Sequence, residues 1–180
     1  MKGMIFTEFL DLVEETWGLE TSEHIIEASQ LKSGGIYTAV GNYEAGELLA
    51  MVAHLSAKVK IPVADLQVVF GKRIFALFTR NYGRFFTEAK GAFAFLAGIE
   101  HYIHVEVRKL YPDAELPSFS YPQHAVNTLV MEYRSRRPMA HFALGLIQAT
   151  VAHYGENITV TMDDLSGGIG NAARYTLVRG

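Results

Sequence analysis

Seven histidines, at positions 24, 54, 101, 104, 124, 141 and 153, are the side chains best suited to hold a metal, because the 180-residue chain contains no cysteine. That absence excludes disulfides, a thiolate nucleophile, an iron–sulfur cluster, a Cys-based zinc site and any cofactor attached covalently through cysteine. His104 stands between Ile103 and Val107, and with Leu96 and Leu110 these form an apolar stripe at helical spacing. Spacing alone favours a satisfied core histidine there over a ligand. His101, three residues earlier, makes a His-x-x-His pair with it and has Glu100 beside it, but that set has no obvious third ligand.

A second constellation is Tyr133-Arg-Ser-Arg-Arg137. If a strand runs through Arg137, its period of two sets Tyr133, Ser135 and Arg137 on one face, where a phenol, a hydroxyl and a guanidinium converge. Such donors suit carboxylates, since Arg can grip one with two parallel hydrogen bonds. The plain alternative is an exposed strand end. Gly167-Gly-Ile-Gly170 lacks phosphate-loop spacing and leads into a strand, so it reads as a hairpin turn. No Gly-x-Ser-x-Gly elbow supports a serine nucleophile.

The elements that must position these residues follow from periodicity. Met4, Ile5, Phe6, Phe9, Leu10, Val13 and Trp17 form one helical stripe that stops at Gly18. A short helix opens at Ser22, helices cover residues 44–59 and 63–81 on either side of Pro62, and a long helix runs from about residue 87 to residue 111 before Pro112. Beyond Pro112 the period changes to two, with a strand at residues 129–137, a helix from Pro138 to about Tyr154, and strands at residues 158–162 and 173–178. The expected class is α+β, a mostly helical N-terminal part followed by an antiparallel sheet with a packed helix, in one domain spanning residues 1–180.

Apolar residues make up 49% of the chain and charged residues 19%, with eleven Phe and nine Tyr. This balance suits a large apolar group inside the fold, or a large ordinary core. A net charge of -3 gives no basic face for nucleic acid. Glu8 and Asp11 interrupt the opening apolar run before it reaches signal-peptide length, and no stretch approaches a spanning helix, so a cytoplasmic protein without membrane attachment is expected.

Met1-Lys2-Gly3, Phe70-Gly71, Ile103-His104-Val105-Glu106-Val107 with Leu110-Tyr111-Pro112, and above all Tyr133-x-Ser135-x-Arg137 about 30 residues after His104, resemble the H-NOX family of haem domains that bind nitric oxide or oxygen. The family includes the sensor domain of soluble guanylate cyclase, and the likeness covers nearly the whole chain in order. It implies non-covalent haem b between the helical part and the sheet. It further implies His104 as the metal ligand, Tyr133, Ser135 and Arg137 on the two propionates, and Pro117 and Ile5 pressing on the porphyrin from its two sides. Phe78, Phe142 and Leu146 would line the pocket.

Two departures inform the expected chemistry. Oxygen-binding members carry a Tyr five residues after the motif Arg, where this chain has Phe142, and the Cys-rich zinc site of some relatives has no counterpart. A single His leaves one iron position open, and the polarity of the opposite pocket then selects the ligand. The resemblance thus implies a non-enzymatic sensor that binds nitric oxide and carbon monoxide at five-coordinate ferrous haem and excludes oxygen. It would regulate a separate protein, a histidine kinase or a cyclic-di-GMP enzyme, through a conformational change. Alternatives are a haem enzyme such as a peroxidase or nitric oxide scavenger, with His141 as the candidate acid–base group, and a haem carrier.

Overall fold

A computed structural model describes residues 1–180. The chain begins with α1 (Gly3–Trp17), α2 (Leu19–Ala28), α3 (Ala45–Val59) and α4 (Val63–Asn81), continues through α5 (Gly83–Glu88) and α6 (Ala92–Ala97), and then makes a π-helical turn (Ile99–Ile103) that leads into α7 (His104–Leu110). Strands β1 (Ser118–His124) and β2 (Thr128–Arg134), helix α8 (Ala140–Tyr154), and strands β3 (Ile158–Asp164) and β4 (Ala172–Arg179) complete it. The strands form one antiparallel sheet in the order β1-β2-β4-β3. The fold is α+β, with helices first and the sheet last. No helix is long and apolar enough to cross a membrane.

Two apolar cores result. Phe6, Phe9 and Val13 of α1 pack with Ile25, with Leu48, Met51 and Leu55 of α3, and with Leu66, Phe70 and Ile74 of α4. A second cluster joins Phe75, Phe86 and Leu96 to Leu129, Met131 and Tyr133 of β2, Tyr175 and Leu177 of β4, and the face of α8 that carries Ala143, Ile147 and Val151. The inward residues of the sheet face each other in register, Leu129 against Leu177, Met131 against Tyr175 and Tyr133 against Ala173.

Helices α4 and α8 form the seam between the cores. Both are apolar on more than one side, which is the pattern of a helix packed on two neighbours. They cross through Gly71 and Gly145, whose Cα atoms come so close that a Cβ on either residue would lie 3.0 Å from the other's Cα. Phe78 and Leu146 touch both cores. Ion pairs reinforce the helical half, where the Arg73 side chain on α4 donates from Nε to buried Glu8 (2.5 Å) and with both terminal nitrogens to Glu15 (2.7 and 2.9 Å) of α1.

Four features differ from expectation. The long helix of residues 87–111 is broken: Gly91, at φ 107°, turns the chain where a side chain would strike Glu156, and the π turn follows after the short helix α6. Helix α2 begins at Leu19 because Gly18, at φ 85°, both ends α1 and admits the next helix. Strand β2 ends at Arg134, short of Arg137. Strand β1 is an additional edge strand whose register slips between Ser120 and Gln123, around Pro122, which an interior strand would not tolerate.

Candidate functional site

The π turn delivers His104 to the start of α7. A π-helical turn carries one more residue than an α-turn and so rotates everything after it, a device frequent at functional sites. Here the rotation leaves Leu110 exposed and turns His104 inward, 7% exposed, so the stripe of an unbroken helix does not form. The imidazole ring lies 5.9 Å from the Phe119 ring on β1. Its Nδ1 is 3.2 Å from Oε2 of Glu100, one of the residues of the π turn. The same Oε2 accepts the Phe119 N–H at 3.0 Å, and Oε1 lies 3.9 Å from the Arg108 guanidinium.

With a carboxylate facing Nδ1, that nitrogen carries the proton, and Nε2 has no hydrogen-bond partner in the protein. Burial lowers the His104 pKa against the opposing pull of Glu100, which favours the neutral ring with a lone pair on Nε2. Pairing of His101 with Glu100 does not occur, since Glu100 turns to His104 and His101 is exposed.

The Tyr-x-Ser-x-Arg residues do come together, by a route other than a continuous strand. Tyr133 is the last inward residue of β2 and is 3% exposed. Beyond Arg134 the Ser135 N–H still donates to the Asn171 carbonyl (2.9 Å), and the Ser135 hydroxyl then accepts the Arg137 N–H (3.0 Å), a turn closed by a serine side chain. Burial pushes the Tyr133 phenol up, against the opposing influence of the Ser135 hydroxyl and the Arg137 charge. The Arg137 guanidinium donates to the Glu115 carboxylate (2.6 Å) and carbonyl (3.0 Å). Ser135, Arg136 and Arg137 line one side of a cavity of about 340 Å³ whose other walls are Arg108 and residues 114–116.

The other expected residues fall on both sides of the seam. Ile5 and Phe142 pack on the N-terminal core, with the Phe142 ring 5.3 Å from that of Phe70, while Phe78 and Leu146 bridge the two cores. Pro117 is half-buried between α7 and β1, two residues before the Phe119 amide that Glu100 holds. Sequence reasoning missed Glu100 as the partner of His104 and Glu115 as the partner of Arg137. The i, i+4 spacing of Glu100 to His104 was a signal for the first pair; nothing local marks the second.

A buried histidine with one free nitrogen, an apolar seam, and a hydroxyl and guanidinium at a cavity mouth fit a flat apolar group that carries a metal at its face and carboxylates at its edge. The donor set therefore fits haem. Comparison with known proteins agrees. The Haem-NO-binding family profile matches residues 2–162. The crystal structure of an Fe(II) unliganded H-NOX protein from K. algicida is similar over 100% of this chain and 97% of its own, at 39% identity and a TM-score of 0.96. The solution structure of the IWP-051-bound H-NOX from Shewanella woodyi in the Fe(II)CO ligation state matches over 100% and 95%, at 36% identity and a TM-score of 0.83. The H-NOX protein from S. oneidensis in the Fe(II)NO state shares the fold over 100% and 99%, at 23% identity and a TM-score of 0.90. Comparison with curated protein sequences gives no match. On the extent of the family match and the likeness to the K. algicida protein, the chain belongs to the Haem-NO-binding, or H-NOX, family of haem-binding gas-sensor domains.

Proposed function

We propose that residues 1–180 form a single domain that holds haem b on His104, binds nitric oxide and carbon monoxide, excludes oxygen, and passes the signal to a separate protein. The observation that carries this reading is the buried imidazole of His104, its Nδ1 engaged by Glu100 and its Nε2 free. Bound haem would supply a ferrous iron with one position open to a diatomic gas.

The chain's own residues set the rest. His104 donates its Nε2 lone pair from one side. Arg137, Ser135 and Tyr133 would hold the carboxylates at the edge, for which Arg137, now on the Glu115 carboxylate, would take one of the same charge. Phe142 brings an apolar ring where a hydroxyl would stabilise oxygen, so the pocket selects by withholding a donor. Ile5 on α1 and Pro117 before β1 would bear on the group from the two halves of the molecule, and a change in the restraint on His104 would shift those halves relative to one another across the α4–α8 seam. A ligand moves such an equilibrium only by its differential affinity for the two arrangements, and the bond from His104 is where that difference arises. The listener is a separate chain, a histidine kinase or a cyclic-di-GMP enzyme inside the cell.

A peroxidase would need an acid–base group beside the open position. His141, the candidate, is part-buried in the first turn of α8. The test is the absorption spectrum of the reduced protein in air, then under carbon monoxide, then with nitric oxide. Spectral changes with both of the latter gases and none in air are expected, and a stable oxygen complex would overturn the selectivity.

A further inference from the structure

Glu100 makes two bonds through a single oxygen. Its Oε2 accepts from His104 Nδ1 (3.2 Å) and from the backbone N–H of Phe119 (3.0 Å), the second residue of β1. Phe119 in turn is paired in register with Tyr133 on β2, the first residue of the Tyr-x-Ser-x-Arg set. One carboxylate thus stands between the imidazole and the strand pair that ends in the carboxylate-binding turn. Helical i, i+4 spacing sets Glu100 beside His104, and the π turn that carries Glu100 packs against β1.

We propose that Glu100 is a positioning residue that fixes the orientation and strength of His104 as a ligand and ties the proximal helix to β1, so that it sets how readily His104 is released when nitric oxide binds. This rests on the reading of His104 as the iron ligand. A ligating histidine whose other nitrogen donates to a carboxylate is held in one tautomer and becomes a stronger electron donor than one bonded to a neutral acceptor. The Arg108 guanidinium, 3.9 Å from Oε1, tempers that charge without competing for Oε2. The bond to Phe119 fixes the carboxylate itself, which would otherwise swing with its side chain, and gives movement of His104 a short route to Tyr133.

The experiment compares the parent with Glu100→Gln and Glu100→Ala, each reconstituted with haem and reduced. Three quantities are read: the iron–histidine stretching frequency by resonance Raman, the fraction of nitric-oxide-bound protein in which His104 has left the iron, and the hydrogen-exchange rate of the Phe119 amide. Loss of such a supporting group costs about 10- to 100-fold in metal affinity, so the ratio of detached to attached His104 should rise by about tenfold or more in Glu100→Ala, with a lower stretching frequency. Glu100→Gln keeps a carbonyl oxygen for both donors without the charge, so its frequency should fall between the other two while Phe119 exchange stays near the parent's. A stretching frequency common to all three proteins, with faster Phe119 exchange in Glu100→Ala alone, would make Glu100 a structural tie and overturn the proposal. If Glu100→Ala does not fold, Glu100→Gln alone decides, an unshifted frequency refuting the idea. A parent that shows no iron–histidine stretch overturns the assignment of His104 itself, an outcome distinct from the first.

Discussion

Gly145→Ala adds one methyl group at the α4–α8 seam, and the structure says what it would meet. An ideal Cβ on Gly145 lies 2.2 Å from the Val68 carbonyl oxygen and 3.0 Å from the Gly71 Cα, backbone atoms that cannot rotate away. Close carbon–oxygen contacts in proteins sit near 3.3 Å, so the crossing must open by about 1 Å. A gap of that size forfeits roughly a quarter to a half of the dispersion energy of the contacts beside it. Overpacking costs about 1–3 kcal/mol, and two rigid backbones put this case at about 2–3 kcal/mol. In a chain of this length each kcal/mol lowers the melting temperature by about 2–4 °C, which gives a fall of about 4–12 °C by circular dichroism or calorimetry. The matched control is Gly46→Ala in α3, where a Cβ meets nothing within 4 Å; it should gain about 0.4–1 kcal/mol by restricting the unfolded chain. A Gly145→Ala protein that melts with the parent while Gly46→Ala melts higher would refute the claim that the two cores meet through a glycine contact.

Three further outcomes are expected. Arg137→Ala removes a charge-assisted pair worth about 1.5–3 kcal/mol, so transfer of haem to an acceptor protein should accelerate by about ten- to a hundredfold; unchanged transfer would remove Arg137 from the site. Phe142→Tyr introduces a donor and should create or prolong an oxygen complex of the reduced protein, read by absorption in air, provided that the parent forms none. Buried Glu47 on α3 is held below the ordinary carboxylate range, because hydrogen bonds from the Ser33 hydroxyl and N–H and the Tyr37 hydroxyl outweigh the cost of its burial. A carboxyl depressed in the folded state stabilises fully above its unfolded value near 4.5 and ceases to do so as pH falls through the folded value. Glu47→Gln should therefore lower stability at pH 7 by about 1–2 kcal/mol and flatten the loss of stability on acidification, and an unaltered acid limb would contradict this.

Much of the fold was readable because it rests on periodicity. Helices α1, α3 and α4, the helix α8 after Pro138, and strands β3 and β4 all carry apolar patterns of the right period, and they stand where those patterns place them. What was not readable depends on contacts between distant residues. The break at Gly91 is set by Glu156, far along the chain, and a π turn has no periodicity of its own to read. Strand β1 hides behind Pro122 and exists because β2 offers a free edge. At the site, residue types were legible and their partners were not: Glu100 accepts from both His104 and the Phe119 amide, and Arg137 is held by Glu115. Ser135 reaches Arg137 through a turn, where strand alternation was expected.

Whether His104 carries the iron is read from the absorption spectrum of reduced protein bearing His104→Gly, taken before and after addition of imidazole, alongside the parent and His101→Gly. Haem loss or an altered spectrum is expected in His104→Gly, with a parent-like spectrum once imidazole fills the vacated place and no change in His101→Gly. A His104→Gly protein whose reduced and carbon-monoxide spectra match the parent's without imidazole would show that another group holds the iron.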